Sequence, residues 1–524
     1  METQSNTSSQ AADVVVGIGA LTFDQVVLVA RLEAQVTVSG EALAEMAKSR
    51  TIIEALADDP LPHYGVSTGF GALASKQIPA ERRAQLQRSL VLSHAAGSGP
   101  EVEREVIRAL MLLRLSTLAT GRTGVRPVIA ETYAAVLNAG ITPLVFEYGS
   151  LGCSGDLAPL AHCALTLLGE GTCRNAAGDL VPSADALAAA GITPIVLREK
   201  EGLALINGTD GMLGMLILAI HDLNALVTTA DLAAALSVEA LTGTDAVFAA
   251  DLQALRPQPG QAKSAANMAA ILAGSPMLSQ PQGFTRVQDA YSLRCAPQVH
   301  GAVRDTIAHA TTVAGYELAS AVDNPVLTLD GRLESNGNFH GAPVGYVLDF
   351  LAIAVADLAS MSERRTDRFL DVSRNHGLNA FLADDPGVDS GHMIAQYTQA
   401  GIVSELKRLA APASVDSIPS SAMQEDHVSM GWSAPRKLRR AIDGLSRVVA
   451  IELLTSARAM DMRAPIQPGA AGSAVRAQLR SRVEGPATDR YLAPEIAAAH
   501  DMVIDGSLLA AAASAVSQAG GELV

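Results

Sequence analysis

Aromatic side chains are scarce in this chain of 524 residues, at 3%, although 49% of it is apolar. With so little Phe, Tyr and Trp, the interior must be filled by Ala, Leu, Val and Ile, which favours close-packed helices over a sheet sandwich. Positive charge is also in deficit. A formal net charge of −16 argues against nucleic acid or an anionic membrane surface as the main partner, since both need concentrated positive charge. The basic clusters Arg364-Arg365 and Lys437-Leu438-Arg439-Arg440 are interspersed with Glu363, Asp367 and Asp443, and are expected to be solvated helix faces. The four cysteines, Cys153, Cys163, Cys173 and Cys295, form no Cys-x-x-Cys pair. That disfavours a structural zinc site or a thioredoxin-like motif, and fits a reduced, cytoplasmic protein. No His-Glu-x-x-His spacing occurs, so no essential metal is expected.

Long apolar runs and a signal segment are missing as well. The most apolar run, residues 212–220, is bounded by Asp210 and His221 and is shorter than the roughly 20 residues a bilayer requires, so no membrane span is expected. The polar opening lacks the basic start and apolar core of a secretory signal, and residues 1–20 are expected to be a flexible tail. From 21 to 202, short apolar runs are broken by Gly, Pro and Ser clusters, which predicts a compact mixed domain with several loops. Within it, 105–118 reads as a helix and 140–145 as a short strand. From 203 to 524 long helical patterns dominate. Leu438, Ile442, Leu445, Val449 and Leu453 fall on one helix face, as do Ile402, Leu406 and Leu409, and such stripes are core or bundle seams.

Against this background stands Tyr148-Gly149-Ser150-Leu151-Gly152-Cys153-Ser154-Gly155-Asp156-Leu157. Locally it reads as a Gly-Ser turn, with Ser154 or Asp156 suited to cap a helix that starts at Leu157. A serine-hydrolase elbow needs Gly-x-Ser-x-Gly, and here the second Gly falls one place early. A third reading is covalent. A Gly amide nitrogen is unhindered and tolerates the bend needed to reach the carbonyl carbon two residues upstream. Closure of Gly155 N on Cys153 C, with loss of water there and of the Ser154 hydroxyl, gives a five-membered imidazolone with an exocyclic methylene. That methylene accepts nucleophiles.

Residues 149–160 resemble the signature of the ammonia-lyase and aminomutase family that carries 4-methylideneimidazole-5-one, MIO, usually formed from Ala-Ser-Gly. Cys153 replaces the usual Ala, and only its carbonyl enters the ring. The resemblance covers nearly the whole chain. It implies a mainly α fold, with a long central helix bundle and a smaller mixed N-terminal head carrying the MIO loop, assembled as a homotetramer whose sites draw on three subunits. It also implies that MIO forms autocatalytically, with no external cofactor.

Removing ammonia from an α-amino acid needs an electrophile to activate a poor leaving group and a base for a weakly acidic β-proton. Tyr64, in Tyr64-Gly65-Val66-Ser67-Thr68-Gly69-Phe70-Gly71, matches the family's base. Arg294 has the bidentate geometry that grips a carboxylate, and one helical turn would place it on the same face as Tyr291. By resemblance Arg294 and Asn324 hold the substrate carboxylate, while Gln288 and Tyr291 line the site. Asn207 stands beside the prosthetic group, Phe339 packs against it and Asp156 serves its maturation.

For the substrate, histidine-selective members carry Ser-His where this chain reads Ser93-His94, and Glu425 matches the acidic residue that faces an imidazole. A carboxylate suits an imidazole N–H but is costly beside a phenyl ring. The expected reaction is L-histidine to trans-urocanate and ammonia; a phenylalanine or tyrosine lyase or a 2,3-aminomutase is the alternative. His427 is a weaker candidate beside Glu425. Two positions depart from histidine-selective members: Met423 and Leu406 stand where Asn is frequent.

Overall fold

A computed structural model describes residues 13–278 and 287–524, and these are mainly α-helical, as the shortage of aromatics predicted. The chain's contacts fall into two compact units. One comprises Met1–Leu218, Thr311–Leu348 and Pro412–Arg436; the other comprises Ala219–Ala310, Asp349–Ala411 and Lys437–Val524. A single boundary at 202/203 therefore does not describe the division. Apart from the change at 411/412, every change of unit falls inside a long helix, where no Gly, Pro or polar linker could mark it.

In the first unit, β1 (Val14–Val16) pairs in parallel with β2 (Val36–Val38), with Val14 and Val16 buried and Val15 exposed. The expected tail over 1–20 is corrected here: three β-branched residues alternate in and out, the pattern of a half-buried strand. Residues 1–12 lie outside the described residues. α1 (Phe23–Arg31) starts at a reciprocal box in which Gln25 N donates to Thr22 Oγ1 and Thr22 N to Gln25 Oε1. α2 (Gly40–Asp58) is capped by Ser39 Oγ, which accepts from Ala42 N. α3 (Arg83–His94) leads through β3 (Ser98–Glu101) to α4 (Arg104–Ala119), which is buried at every position from Val106 to Ala119. A helix buried all round is a central one, and α1, α2 and α5 (Pro127–Asn138) pack against it.

Of the strand expected over 140–145 only Thr142–Pro143 is extended in a sheet, and a further strand follows it. β4 (Thr142–Pro143) joins a sheet with β6 (Thr172–Arg174) and β7 (Leu180–Pro182), while β5 (Phe146–Tyr148) pairs antiparallel with β3. Then come α6 (Leu157–Leu167), α7 (Ser183–Ala189), α8 (Glu201–Ile206) and the start of α9 (Asp210–Ala240). α3, α6 and α8 pack on one another, which sets the loop before α6 beside the residue after α8.

The second unit contains α10 (Ala250–Ala254), α11 (Pro259–Leu272), α12 (Tyr291–Arg294) and most of α13 (Ala296–Leu318). The hairpin β8 (Val326–Leu327) and β9 (Leu333–Glu334) belongs to the first unit. α14 (Ala342–Leu370), α15 (Met393–Leu409), α16 (Ser433–Met462), α17 (Ala470–Arg480), α18 (Ala493–Ile504) and α19 (Ser507–Gln518) complete the chain. The two apolar stripes meet at Gly444, where a Cβ would stand 2.9 Å from Leu406 and 3.1 Å from Ile402. Leu406 thus fills a seam between α15 and α16.

Arg365 is not on a solvated face. It is fully buried in a bidentate pair with Glu452, at 2.5 and 2.9 Å, while Arg364 is 54% exposed. Neighbouring positions on a helix point about 100° apart, so one of two adjacent arginines faces inward. The span over Glu201–Ala240 and the helix Ala342–Leu370 are also long and apolar enough to cross a membrane by length and composition, which the run at 212–220 did not suggest. The apolar window of the first is wholly buried inside the protein and that of the second 61% buried, as expected of core helices.

Candidate functional site

The loop between β5 and α6 is built on glycines. Gly152 and Gly155 have φ of +69° and +73°, and a Cβ on Gly155 would lie 2.1 Å from the Gly208 carbonyl oxygen, so only Gly fits. The loop is clamped at its backbone. Ser429 Oγ and Gly341 N donate to Gly152 O at 2.7 and 3.0 Å, Met430 N donates to Leu151 O at 2.8 Å, and Asp156 N to Gly208 O at 2.7 Å. An obligatory Gly at the ring-closing nitrogen, in a turn held from several sides, fits the demands of MIO formation from Cys153, Ser154 and Gly155.

Asp156 does not cap α6. Its Oδ2 accepts from Gly211 N and Met212 N, both at 2.9 Å, at the start of α9, and Ser150 Oγ donates to Oδ1. Burial pushes this carboxyl up to about 7, with the nearby Asp210 charge adding to the effect and the two backbone donors opposing it. A group that exchanges a proton near neutrality therefore adjoins Gly155. On the other side, Asn207 Nδ2 donates to Ser154 O at 2.8 Å, and its Oδ1 is buried without a hydrogen-bond partner among the described residues.

Tyr64 is half-buried in the loop between α2 and α3, and Gly71 N donates to its Oη at 3.2 Å. A Cβ on Gly71 would stand 3.9 Å from Glu425 Oε1, and Glu425 Oε2 is buried without a hydrogen-bond partner among the described residues. Burial raises the Cys153 thiol, and the Glu425 charge adds to that effect. Tyr64, Glu425 and the tripeptide are thus gathered at one place. The chain after His94 reaches the same loop, because a Cβ on Gly149 would lie 3.1 Å from Gly97 Cα. His94 Nδ1 donates to Leu90 O at 2.9 Å, which leaves Nε2 as an acceptor, and burial lowers the pKa of the ring.

Asn324 Oδ1 accepts from Asn336 N at 3.0 Å, and the following Pro325 packs against Gly65, next to Tyr64. Phe339 is half-buried, two residues before the Gly341 that bonds to Gly152. His427 stacks on His340, with ring centroids 5.4 Å apart. Gln288, Tyr291 and Arg294 belong to the second unit, where the Arg294 guanidinium lies 4.6 Å from the centre of the Tyr291 ring and Arg294 Nε is buried without a hydrogen-bond partner among the described residues. Among the described residues no three His, Cys, Asp or Glu side chains are grouped to hold a metal ion.

Two supporting residues escaped the sequence reading. Gln87, fully buried in α3, accepts from Gly202 N and Leu203 N at 2.8 and 3.3 Å, and donates to Gly65 O at 3.5 Å. It joins the Tyr64 loop to α8. Arg114 in α4 donates to Asn207 O and Val322 O, each at 2.8 Å. The available signal was an arginine set in the mostly apolar run Ala109–Leu115 of that helix.

The family model for aromatic amino acid lyases matches residues 21–481. A histidine ammonia-lyase of Streptomyces avermitilis is 65% identical over 501 residues, covering 95% of this chain and 98% of its own. Among solved structures, a tyrosine aminomutase of Streptomyces globisporus superposes with a TM-score of 0.91 at 39% identity, over 95% of this chain and 98% of that one. A histidine ammonia-lyase of Trypanosoma cruzi does so with a TM-score of 0.89 at 34% identity, over 96% and 95%.

Proposed function

The chain belongs to the aromatic amino acid lyase family and is a carbon–nitrogen lyase, and within that family we propose that it converts L-histidine to trans-urocanate and ammonia. The observation that carries the substrate is the buried Glu425 oxygen, without a partner among the described residues, beside the Gly71 that holds Tyr64 Oη. Glu425 and His94 Nε2 both accept hydrogen bonds, and an imidazole offers N–H donors that a phenyl ring lacks. A phenyl substrate would leave the carboxylate buried and unpaired. The tyrosine aminomutase likeness keeps a 2,3-aminomutase as the second reading.

MIO, when formed from Cys153, Ser154 and Gly155 without an external cofactor, supplies an electrophile that activates the substrate for loss of ammonia. Asp156 serves its maturation and Asn207 holds the Ser154 carbonyl. Tyr64 takes the β-proton, and the Gly71 N–H donates to the oxygen that receives it. Arg294 and Asn324 fix the carboxylate, Gln288 and Tyr291 line the site, and Phe339 packs beside the tripeptide. The protein acts as a homotetramer in which neighbouring copies complete each site. The exposed stripe Tyr346, Phe350 and Ile353 on α14 is an apolar face suited to such an assembly. Four free cysteines, three of them buried, accord with a cytoplasmic location.

The test supplies L-histidine, L-phenylalanine and L-tyrosine separately and follows urocanate, cinnamate and coumarate by absorbance and β-amino acids by chromatography. Urocanate from histidine alone is expected. Brisk cinnamate, or a β-amino acid without urocanate, would sink the reading.

A further inference from the structure

We infer that Arg114 is a positioning residue for this reaction, holding Asn207, which orders the electrophile, in register with Asn324, which orders the substrate carboxylate. The inference rests on the reading of the site given above. Arg114 lies in α4 between Leu113 and Leu115, and its side chain has no exposure. A guanidinium buried to that degree is costly unless its donors are matched. Here Nη1 donates to Asn207 O and Nη2 to Val322 O, while Nε pairs with the Asp210 charge at 3.5 Å without a hydrogen bond among the described residues.

The two carbonyls belong to segments with separate duties. Asn207 follows α8 and sends Nδ2 to Ser154 O. Val322 stands two residues before Asn324, whose own backbone N donates to Asp323 Oδ1. Nη1 and Nη2 sit on one rigid plane, so both carbonyls are held at a single separation. A second tie joins the same segments. Lys200 Nζ meets Asp323 Oδ2 at 2.5 Å, both fully buried, at the opposite end of α8 from Asn207. The helix that leads into Asn207 is thereby fastened to the Asn324 segment through the residues that flank its start and its end. A lysine at 114 would keep the charge but present one nitrogen instead of a fork.

The experiment uses Arg114→Lys and Arg114→Gln in the purified, assembled enzyme. It reads intact mass, thermal midpoint, affinity for free imidazole, and kcat and KM for the amino acid turned over. In Arg114→Lys we expect the mass loss of two waters to persist, the thermal midpoint and imidazole affinity to be nearly unchanged, and kcat to fall about 10- to 100-fold, the range that misplacement by an ångström can cause. Arg114→Gln should move kcat in the same direction and further. Wild-type kcat in Arg114→Lys would overturn the inference. So would failure of both variants to fold or to lose the two waters, since Arg114 would then be structural only. A wild-type enzyme that loses two waters but makes no urocanate would refute histidine as substrate, with the Arg114 comparison still read on the amino acid that reacts.

Discussion

Asn207 Nδ2 donates to the Ser154 carbonyl oxygen at 2.8 Å. Ring closure between Gly155 N and Cys153 C leaves the Ser154 carbonyl in the ring, conjugated with the methylene that Ser154 becomes. A donor on that oxygen draws electron density away from the methylene and holds the ring in place. Asn207→Ala should therefore keep the mass loss of two waters while kcat falls roughly 100-fold or more, as when a single donor to a developing oxyanion is removed. An unchanged kcat, measured with mass on the same sample, would contradict this role.

Glu425 has one buried oxygen without a partner among the described residues, which leaves it for a donor on the substrate ring. Glu425→Gln keeps the shape and removes the charge. Hydrogen bonds to charged groups contribute about 1.5–3 kcal/mol, so kcat/KM for histidine should fall roughly 10- to 100-fold. The value for phenylalanine should hold or rise. Equal losses for both amino acids would show that Glu425 does not read the ring.

The motifs at Tyr64, at Cys153-Ser154-Gly155 and at Glu425 stood out in the sequence through the family resemblance, because each is a short contiguous run; local residues alone favoured a Gly-Ser turn at the tripeptide. Mainly α packing followed from composition. Arg114 and Gln87 were not legible, since each acts on backbone atoms of segments far away in the chain: Asn207 and Val322 for one, Gly65 and Gly202 for the other. The same reason hid the partner of Asp156. Its position before α6 suggested a cap there, whereas its carboxylate meets the N–H groups of α9. The division into units was hidden because its boundaries fall within helices.

Asp156 gives a pH signature. Its folded-state carboxyl is raised by burial to about 7 from an ordinary 3.8. Between those values the unfolded chain has lost a proton that the folded chain keeps, so stability falls as pH rises from about 4 to 7, and the contribution is level above that. The comparison is made in Ser154→Ala, where no ring forms. Adding Asp156→Asn should flatten the decline of the thermal midpoint over this window relative to Ser154→Ala alone. Parallel profiles would contradict the raised carboxyl.

Ser421, Ala422 and Met423 have φ of +49°, +55° and +71°, just before Glu425. Left-handed conformations cost non-glycine residues about 1–2 kcal/mol each, and Asn adopts them more readily than Met. Met423 is 66% exposed, so little packing is lost on replacement. Met423→Asn should stabilise the protein by about 0.5–1 kcal/mol by relieving part of that cost. Denaturant midpoints and resistance of this loop to proteolysis both report on it, and a lower midpoint would count against the strain.

The central claim is that Cys153, Ser154 and Gly155 become the electrophile. Intact-mass measurement of the purified chain beside Ser154→Ala tests it most directly. The account predicts that the wild-type chain is lighter than its encoded mass by two waters and that Ser154→Ala has its full encoded mass and no turnover. A wild-type chain at its full encoded mass would contradict the account, whatever the other residues of the site suggest.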